Sequence, residues 1–228
     1  EEIAVNYNAN LEKFNNFIPR CVQRRKKVID DEGNEKIKFD NFNLNEFLLS
    51  VVKNNRIVII SDIAGSGKTT LLKKINEFLL ESFPAAWISF INLKSHLKDF
   101  TKDESFTEKI SKILQLDVIS SKVFLQKFKN NEVKILFDGF DEISPICKEA
   151  VLKFFMTFHT LRDKNQIFIT TRTHLEHYLE TKLGVFGFKI KMLDECEETE
   201  FLIEFWKASN QNLELQFIKN CANLKKKK

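Results

Sequence analysis

The chain has 228 residues, 43% apolar and 30% charged, which fits one sizeable α/β core with a small appendage and excludes a disordered chain. Its formal charge of +4 rests on the terminal run Lys225–Lys228; without those lysines the net charge is zero, so no global basic field marks a nucleic-acid binder. No apolar stretch approaches the ~20 residues that cross a bilayer, "FLLSVV" at 47–52 being typical of the longest, and no basic–apolar–small leader opens the sequence.

A cytoplasmic chain without a membrane partner is therefore expected, and its first and last residues read as the ends of a piece of a longer protein. Cys21, Cys147, Cys196 and Cys221 are far apart and form no CxxC pair. They are expected as reduced, mostly buried thiols. The early cluster Arg20, Arg24, Arg25, Lys26 and Lys27 reads as a solvated face rather than an anion-binding patch. His174 and His177 lack a Cys or carboxylate partner at ligand spacing and are not read as a metal site.

From residue 56 onward, β-rich apolar runs alternate with helical patterns. The predicted strands are "RIVIIS" (56–61), "AAWISFINL" (85–93), "VKILFD" (133–138), "QIFITT" (166–171) and "FKIKML" (188–193). Between them lie "TTLLKKINEFLLESF", a helical region over about 105–129, "KEAVLKFFMTFHTLRD" and "HLEHYLETKL". In the third of these, Val151, Phe154, Phe155, Phe158 and Leu161 recur at three and four, the spacing of a buried helix face.

Such strands, apolar throughout and separated by helices, imply a parallel sheet covered on both sides. The expected fold is a three-layer α/β sheet of five parallel strands in the order 5-1-4-3-2, flanked by helices. Asp194 and Glu197 in "DECEETEFLIEFW" then form a capping pattern for a helix with Phe201, Leu202, Phe205 and Trp206 on one face. That helix would start a C-terminal helical subdomain. The chain thus divides into a lead-in (1–50), a nucleotide-binding unit (51–193) and the start of that subdomain (194–228).

In open parallel sheets ligands bind beyond the carboxyl ends of the strands. "ISDIAGSGKTTLLKKI" (60–75) is a strand, a glycine-rich turn and a helix, the context a phosphate loop requires. Ala64, Gly65, Ser66, Gly67, Lys68, Thr69 and Thr70 are the candidate phosphate-binding residues. Lys68 would reach the β- and γ-phosphates, and the Thr69 hydroxyl would hold Mg²⁺. One position departs from GxxxxGK[ST]: the first glycine is Asp62, a residue that tolerates tight turns.

The strand "KILFDGFDEI" ends in Asp138, 70 residues after Lys68, where a carboxylate would hold a Mg²⁺-associated water. Asp141 and Glu142 follow, and either could orient or deprotonate an attacking water. In "FITTRTH", Arg172 at the next strand tip could sense or stabilise a γ-phosphate. The strand at 85–93 lies in sequence between phosphate loop and Asp138, as in the ASCE type of P-loop sheet, where an extra strand separates the two. With no NKxD motif after a strand, ATP is favoured over GTP.

"AGSGKTTL", "ILFDGFDEI" and "FITTRTH", in this order, resemble the NACHT family of signal-transducing P-loop NTPases (STAND class, the switches of NOD-like receptors). "AAWISFINLKSH" and "DECEETEFLIEFW" look like arthropod members that carry ankyrin repeats downstream, and the resemblance covers about residues 14 to 208. It implies that Ile18, Pro19 and Arg20 of "FIPR" line an adenine pocket. It implies too an ATP/ADP switch in innate immunity or related signalling, with slow hydrolysis and self-association of the full-length protein. Two other readings stay open: a P-loop kinase or motor ATPase, and a degenerate nucleotide-binding scaffold.

Overall fold

The computed structural model describes residues 20–29, 35–102, 104–161 and 164–209. Two strands, β1 (Val22–Ile29) and β2 (Glu35–Phe42), form an antiparallel hairpin. A short helix α1 (Leu44–Glu46) runs on as π-helical turns over Phe47–Val52. Asn43 and Glu46 cap its start reciprocally, side chain to backbone in both directions.

The alternation then begins. The strand β3 (Ile57–Ser61) leads into α2 (Lys68–Ser82), and β4 (Trp87–Asn92) into α3 (Leu97–Thr101), α4 (Phe106–Ile113) and α5 (Val118–Lys129). The strand β5 (Val133–Asp138) precedes α6 (Pro145–Leu161), and β6 (Gln166–Thr171) precedes α7 (Thr173–Leu183). The strand β7 (Phe188–Ile190) and helix α8 (Glu195–Ser209) complete the described chain. Among the described residues no helix is long and apolar enough to cross a membrane.

The sheet runs β2-β1-β7-β3-β6-β5-β4. Its segment β7-β3-β6-β5-β4 is parallel and reproduces the predicted order 5-1-4-3-2. Seven strands rather than five are present, because the hairpin adds β1 antiparallel to β7 through Val22–Arg24. In β2 the signal was period-two alternation, Ile37 and Phe39 between Lys36, Lys38 and Asp40. Neither strand reads as an apolar run.

The region expected as helical over about 105–129 is two helices. Gln115 takes a positive φ of 52°, and the Asp117 carboxylate accepts from Ser120 N–H to start α5. The predicted strand at 188–193 stops at Ile190, before the Asp194–Glu197 capping pair that opens α8. The thiols expected to be mostly buried are not: Cys21 and Cys147 are half-buried and Cys196 is exposed. Cys221 lies outside the described residues.

The core is two-sided because every residue of β3, β5 and β6 is buried. One face packs Ile57, Ile59, Ile135, Phe137, Ile167 and Ile169 against α3–α7. Here the predicted α6 stripe is confirmed at Val151, Phe154, Phe155 and Phe158, all at most 4% exposed. Phe155 stands 4.8 Å from Phe137, and Phe154 stacks on Phe106 at 4.9 Å. Each ring removed from water contributes about 1.5–3 kcal/mol. The other face packs Val58, Ile60, Leu136 and Phe168 against α2 and the π-helical turns. With both faces covered, the carboxyl ends of β3, β5 and β6 are left as the open edge.

Candidate functional site

Three strand ends converge there. The loop between β3 and α2 turns through Gly65 (φ 76°) and Gly67 (φ 91°), left-handed values that a side chain resists. Gly67 also caps the N-terminus of α2, where unpaired amides and the helix dipole favour an anion. Ala64 and Gly65 are exposed at the tip, and the Ser66 hydroxyl donates to Ile63 O at 3.0 Å. Thr70 sits in the first turn of α2, half-buried.

Lys68 begins α2 and folds back over the loop, its Nζ donating to Asp62 O at 3.0 Å and Ile63 O at 2.5 Å. Burial pushes its pKa down from 10.5, opposed by the charges of Asp141, Asp62 and Asp138 and reinforced by Arg172. The ammonium thus stands among the charges of Asp62, Asp138, Asp141 and Arg172.

Asp138 ends β5, 8% exposed, with each carboxylate oxygen occupied. Thr69 Oγ1 donates to Oδ2 at 2.9 Å and Thr170 Oγ1 to Oδ1 at 2.5 Å. Gly139 N–H in turn donates to Thr170 Oγ1 at 2.8 Å. The sequence motifs mark Thr69 and Asp138 but assign Thr170 no role. In the structure Thr170 orients the carboxylate toward α2. Its signal was position, at the tip of the strand beside β5.

The two acids after Gly139 differ. Asp141 has a side chain only 6% exposed, and its Oδ2 lies 2.8 Å from Arg172 Nε. Glu142 is exposed and lies over Gly139, its Cγ and Cδ 3.5 Å from where a Cβ would stand. Arg172 caps α7, which brings the third predicted motif beside the second.

Asp62, the position that departs from the glycine pattern, is not among the residues with positive φ. A β-carbon is therefore tolerated. Its Oδ2 accepts from Ile190 N–H at 3.1 Å, its Oδ1 from Ile63 N–H at 2.7 Å, and its own N–H donates to Thr171 O at 3.3 Å. The carboxylate ties the loop to the end of β7, a contact with no signal in sequence.

Arg20 donates through Nη2 to Lys191 O at 2.9 Å, just past β7. Ile18 and Pro19 lie outside the described residues. The basic cluster expected as a solvated face is only partly that: Arg25 pairs with Glu176 and Glu180 on α7, both carboxylates being buried.

The donor set suits a hard cation. Thr69 and Asp138 bring a hydroxyl and a carboxylate oxygen together beside the phosphate loop, the chemistry that Mg²⁺ takes in such sites.

No protein-family model and no curated protein matches the chain. Solved structures do. Domain III of the Thermotoga maritima replication initiation protein DnaA is 17% identical with a TM-score of 0.54, over 78% of this chain and 72% of that one. A DNA replication initiation factor is 17% identical with a TM-score of 0.53, over 79% of this chain and 53% of its own. AMPPCP-bound DnaA from Aquifex aeolicus is 17% identical with a TM-score of 0.50, over 78% and 53%. This chain therefore spans about half the length of the latter two. What it shares with them is the architecture, a P-loop NTPase fold of a mostly parallel sheet between helices.

Proposed function

We propose that the chain is an ATP/ADP-binding, Mg²⁺-dependent NACHT-type domain that acts as a nucleotide-controlled switch with slow ATP hydrolysis, its full-length protein self-associating through this domain. The observation that carries this is the convergence of Lys68, Thr69, Asp138, Asp141 and Arg172 on one loop at the carboxyl edge of the sheet. The AMPPCP bound by the Aquifex aeolicus neighbour supports nucleotide as the ligand class. The division at residues 50 and 193, and the adenine-lining role of Ile18, Pro19 and Arg20, belong to the same proposal.

The roles follow from position. Amides of Ala64–Thr70 would bind the β-phosphate, and Lys68 would exchange its two loop carbonyls for phosphate oxygens. Thr69 and Asp138 would hold Mg²⁺, which when bound neutralises charge on the phosphate oxygens. Thr170 keeps the Asp138 carboxylate aimed at Thr69. Arg172, half-exposed and paired through Nε with Asp141, would meet a γ-phosphate, so that ATP and ADP would differ at this residue. Glu142, exposed over Gly139, would be the freer carboxylate to orient a water; Asp141 would have to release Arg172 first.

The test is equilibrium binding of fluorescent ATP, ADP and GTP, with and without Mg²⁺, to wild type and Lys68→Ala. Adenine-selective binding that needs Lys68 is expected. A Lys68→Ala protein that binds ATP as tightly as wild type overturns the reading.

A further inference from the structure

Among the described residues, a buried charge cluster stands behind the nucleotide site and takes no part in it. Glu176 and Glu180 are one turn apart on α7, 4% and 8% exposed. Two like charges at that spacing repel, and each buried carboxylate needs a cation or donors. Arg25 supplies the cation from β1: its Nη2 lies 2.6 Å from Glu180 Oε2 and 3.3 Å from Glu176 Oε1. Lys189 Nζ lies 3.3 Å from Glu176 Oε2, and Gly187 N–H donates to Glu180 Oε1 at 2.8 Å.

The same cluster reaches the end of the strand that leads into the nucleotide loop. Ser61, the residue before Asp62, donates its hydroxyl to Glu176 Oε2 at 3.3 Å. Arg172 lies four residues before Glu176 and caps the same helix. Glu176 is thus a junction of the hairpin, the end of β3 and the helix that presents Arg172 to Asp141.

We propose that Arg25 is a positioning residue for triphosphate recognition: by neutralising Glu176 and Glu180 it seats α7, so the β1–β2 hairpin sets whether Arg172 meets a γ-phosphate. The inference rests on the nucleotide reading above and names a regulator of that site. Without Arg25, Glu176 keeps Lys189, whose side chain is itself 37% exposed, and Glu180 keeps only the Gly187 N–H among the described residues. An uncompensated buried charge is strongly destabilising, and α7 would relieve it by shifting toward water. Both carboxylates take the same nitrogen of Arg25, while its Nε has no hydrogen bond among the described residues. A clamp held at one atom is one that a pull on the hairpin can release.

The experiment is the ratio of ADP to ATP dissociation constants for the full chain with Mg²⁺, in wild type, Arg172→Ala, Arg25→Met and Arg25→Lys. Arg25→Met is expected to keep its ADP affinity and weaken ATP on the order of 5-fold, the usual lower range of coupling between sites. Arg25→Lys should restore part of the ratio. Equal losses for both nucleotides, or an unchanged ratio while Arg172→Ala changes it, overturn the lever and leave the nucleotide reading standing. A ratio unmoved by Arg172→Ala overturns the role of Arg172 first, and the lever with it. If Arg25→Met does not fold, Arg25→Lys, which keeps the charge and shortens its reach to the two carboxylates, must itself shift the ratio in the same direction.

Discussion

Thr69 on α2 and Asp138 at the tip of β5, 69 residues apart in sequence, share a hydrogen bond of 2.9 Å. The pair joins the phosphate loop to a strand two places away in the sheet, with β6 between them. The Thr170 hydroxyl from β6 braces the same carboxylate. Asp138→Asn keeps the shape and removes the charge. Its expected effect is a loss of about 10–100-fold in the Mg²⁺-dependent part of ATP affinity. The Mg²⁺-independent part should hardly move, which titration with fluorescent ATP with and without Mg²⁺ reads directly.

The Asp62 carboxylate connects the same loop to β7 through Ile190 N–H. A hydrogen bond to a charged acceptor is worth about 1.5–3 kcal/mol, and Asp62→Ala removes it together with the bond to Ile63 N–H. The expected outcome is faster hydrogen exchange at the Ile190 amide and a lower urea midpoint. Exchange at Ile190 unchanged from wild type would show that Asp62 does not hold the loop to the sheet.

Phe155 is fully buried between Phe137 and Phe140, with ring centroids 4.8 and 6.0 Å away. Phe155→Ala leaves a cavity beneath the strand that carries Asp138, at an expected cost of about 3–5 kcal/mol. Urea unfolding measures it; a loss under 1 kcal/mol, on the order of a surface change, would mean that α6 does not pack as described.

Lys134 is the pH-sensitive element of the opposite sheet end. Burial pushes its pKa down from 10.5 to about 8, and its ammonium bonds to Gln166 Oε1 and lies 4.0 Å from the Phe83 ring centroid. Between those two pKa values the unfolded chain binds more protons than the folded one, so stability rises with pH across that window. Below about pH 8 both states are protonated and the penalty is constant. Lys134→Met abolishes this rise. The difference in unfolding free energy between wild type and variant should therefore change by roughly 2–3 kcal/mol from pH 7 to pH 10.5. A pH-independent difference, measured by denaturant titration at both values, would rule out the buried cation.

The alternating core was legible because apolar runs such as "VKILFD" and "QIFITT" are strands buried on both faces, and a run of that kind between helical patterns points to a covered parallel sheet. The α6 stripe was legible for the same reason at helical spacing. The hairpin was not, because neither strand is an apolar run: β2 is the edge strand, and "VQRRKKVI", between β2 and β7, reads as a charged surface until Arg25 is seen facing Glu176 and Glu180. Glu176 and Glu180 themselves look like ordinary exposed helix acids in sequence.

For the site, residue type and order along the chain determined the phosphate loop, its lysine and the strand-end aspartate, since glycines, a lysine and an apolar strand of this kind are local features. Which groups touch is a matter of sheet order. That Thr170 braces Asp138, that Asp141 rather than Glu142 takes Arg172, and that Asp62 holds Ile190 all depend on strands far apart in sequence becoming neighbours. Local composition sets the elements, whereas hydrogen bonds of a few ångströms between their ends exist only once the sheet has closed.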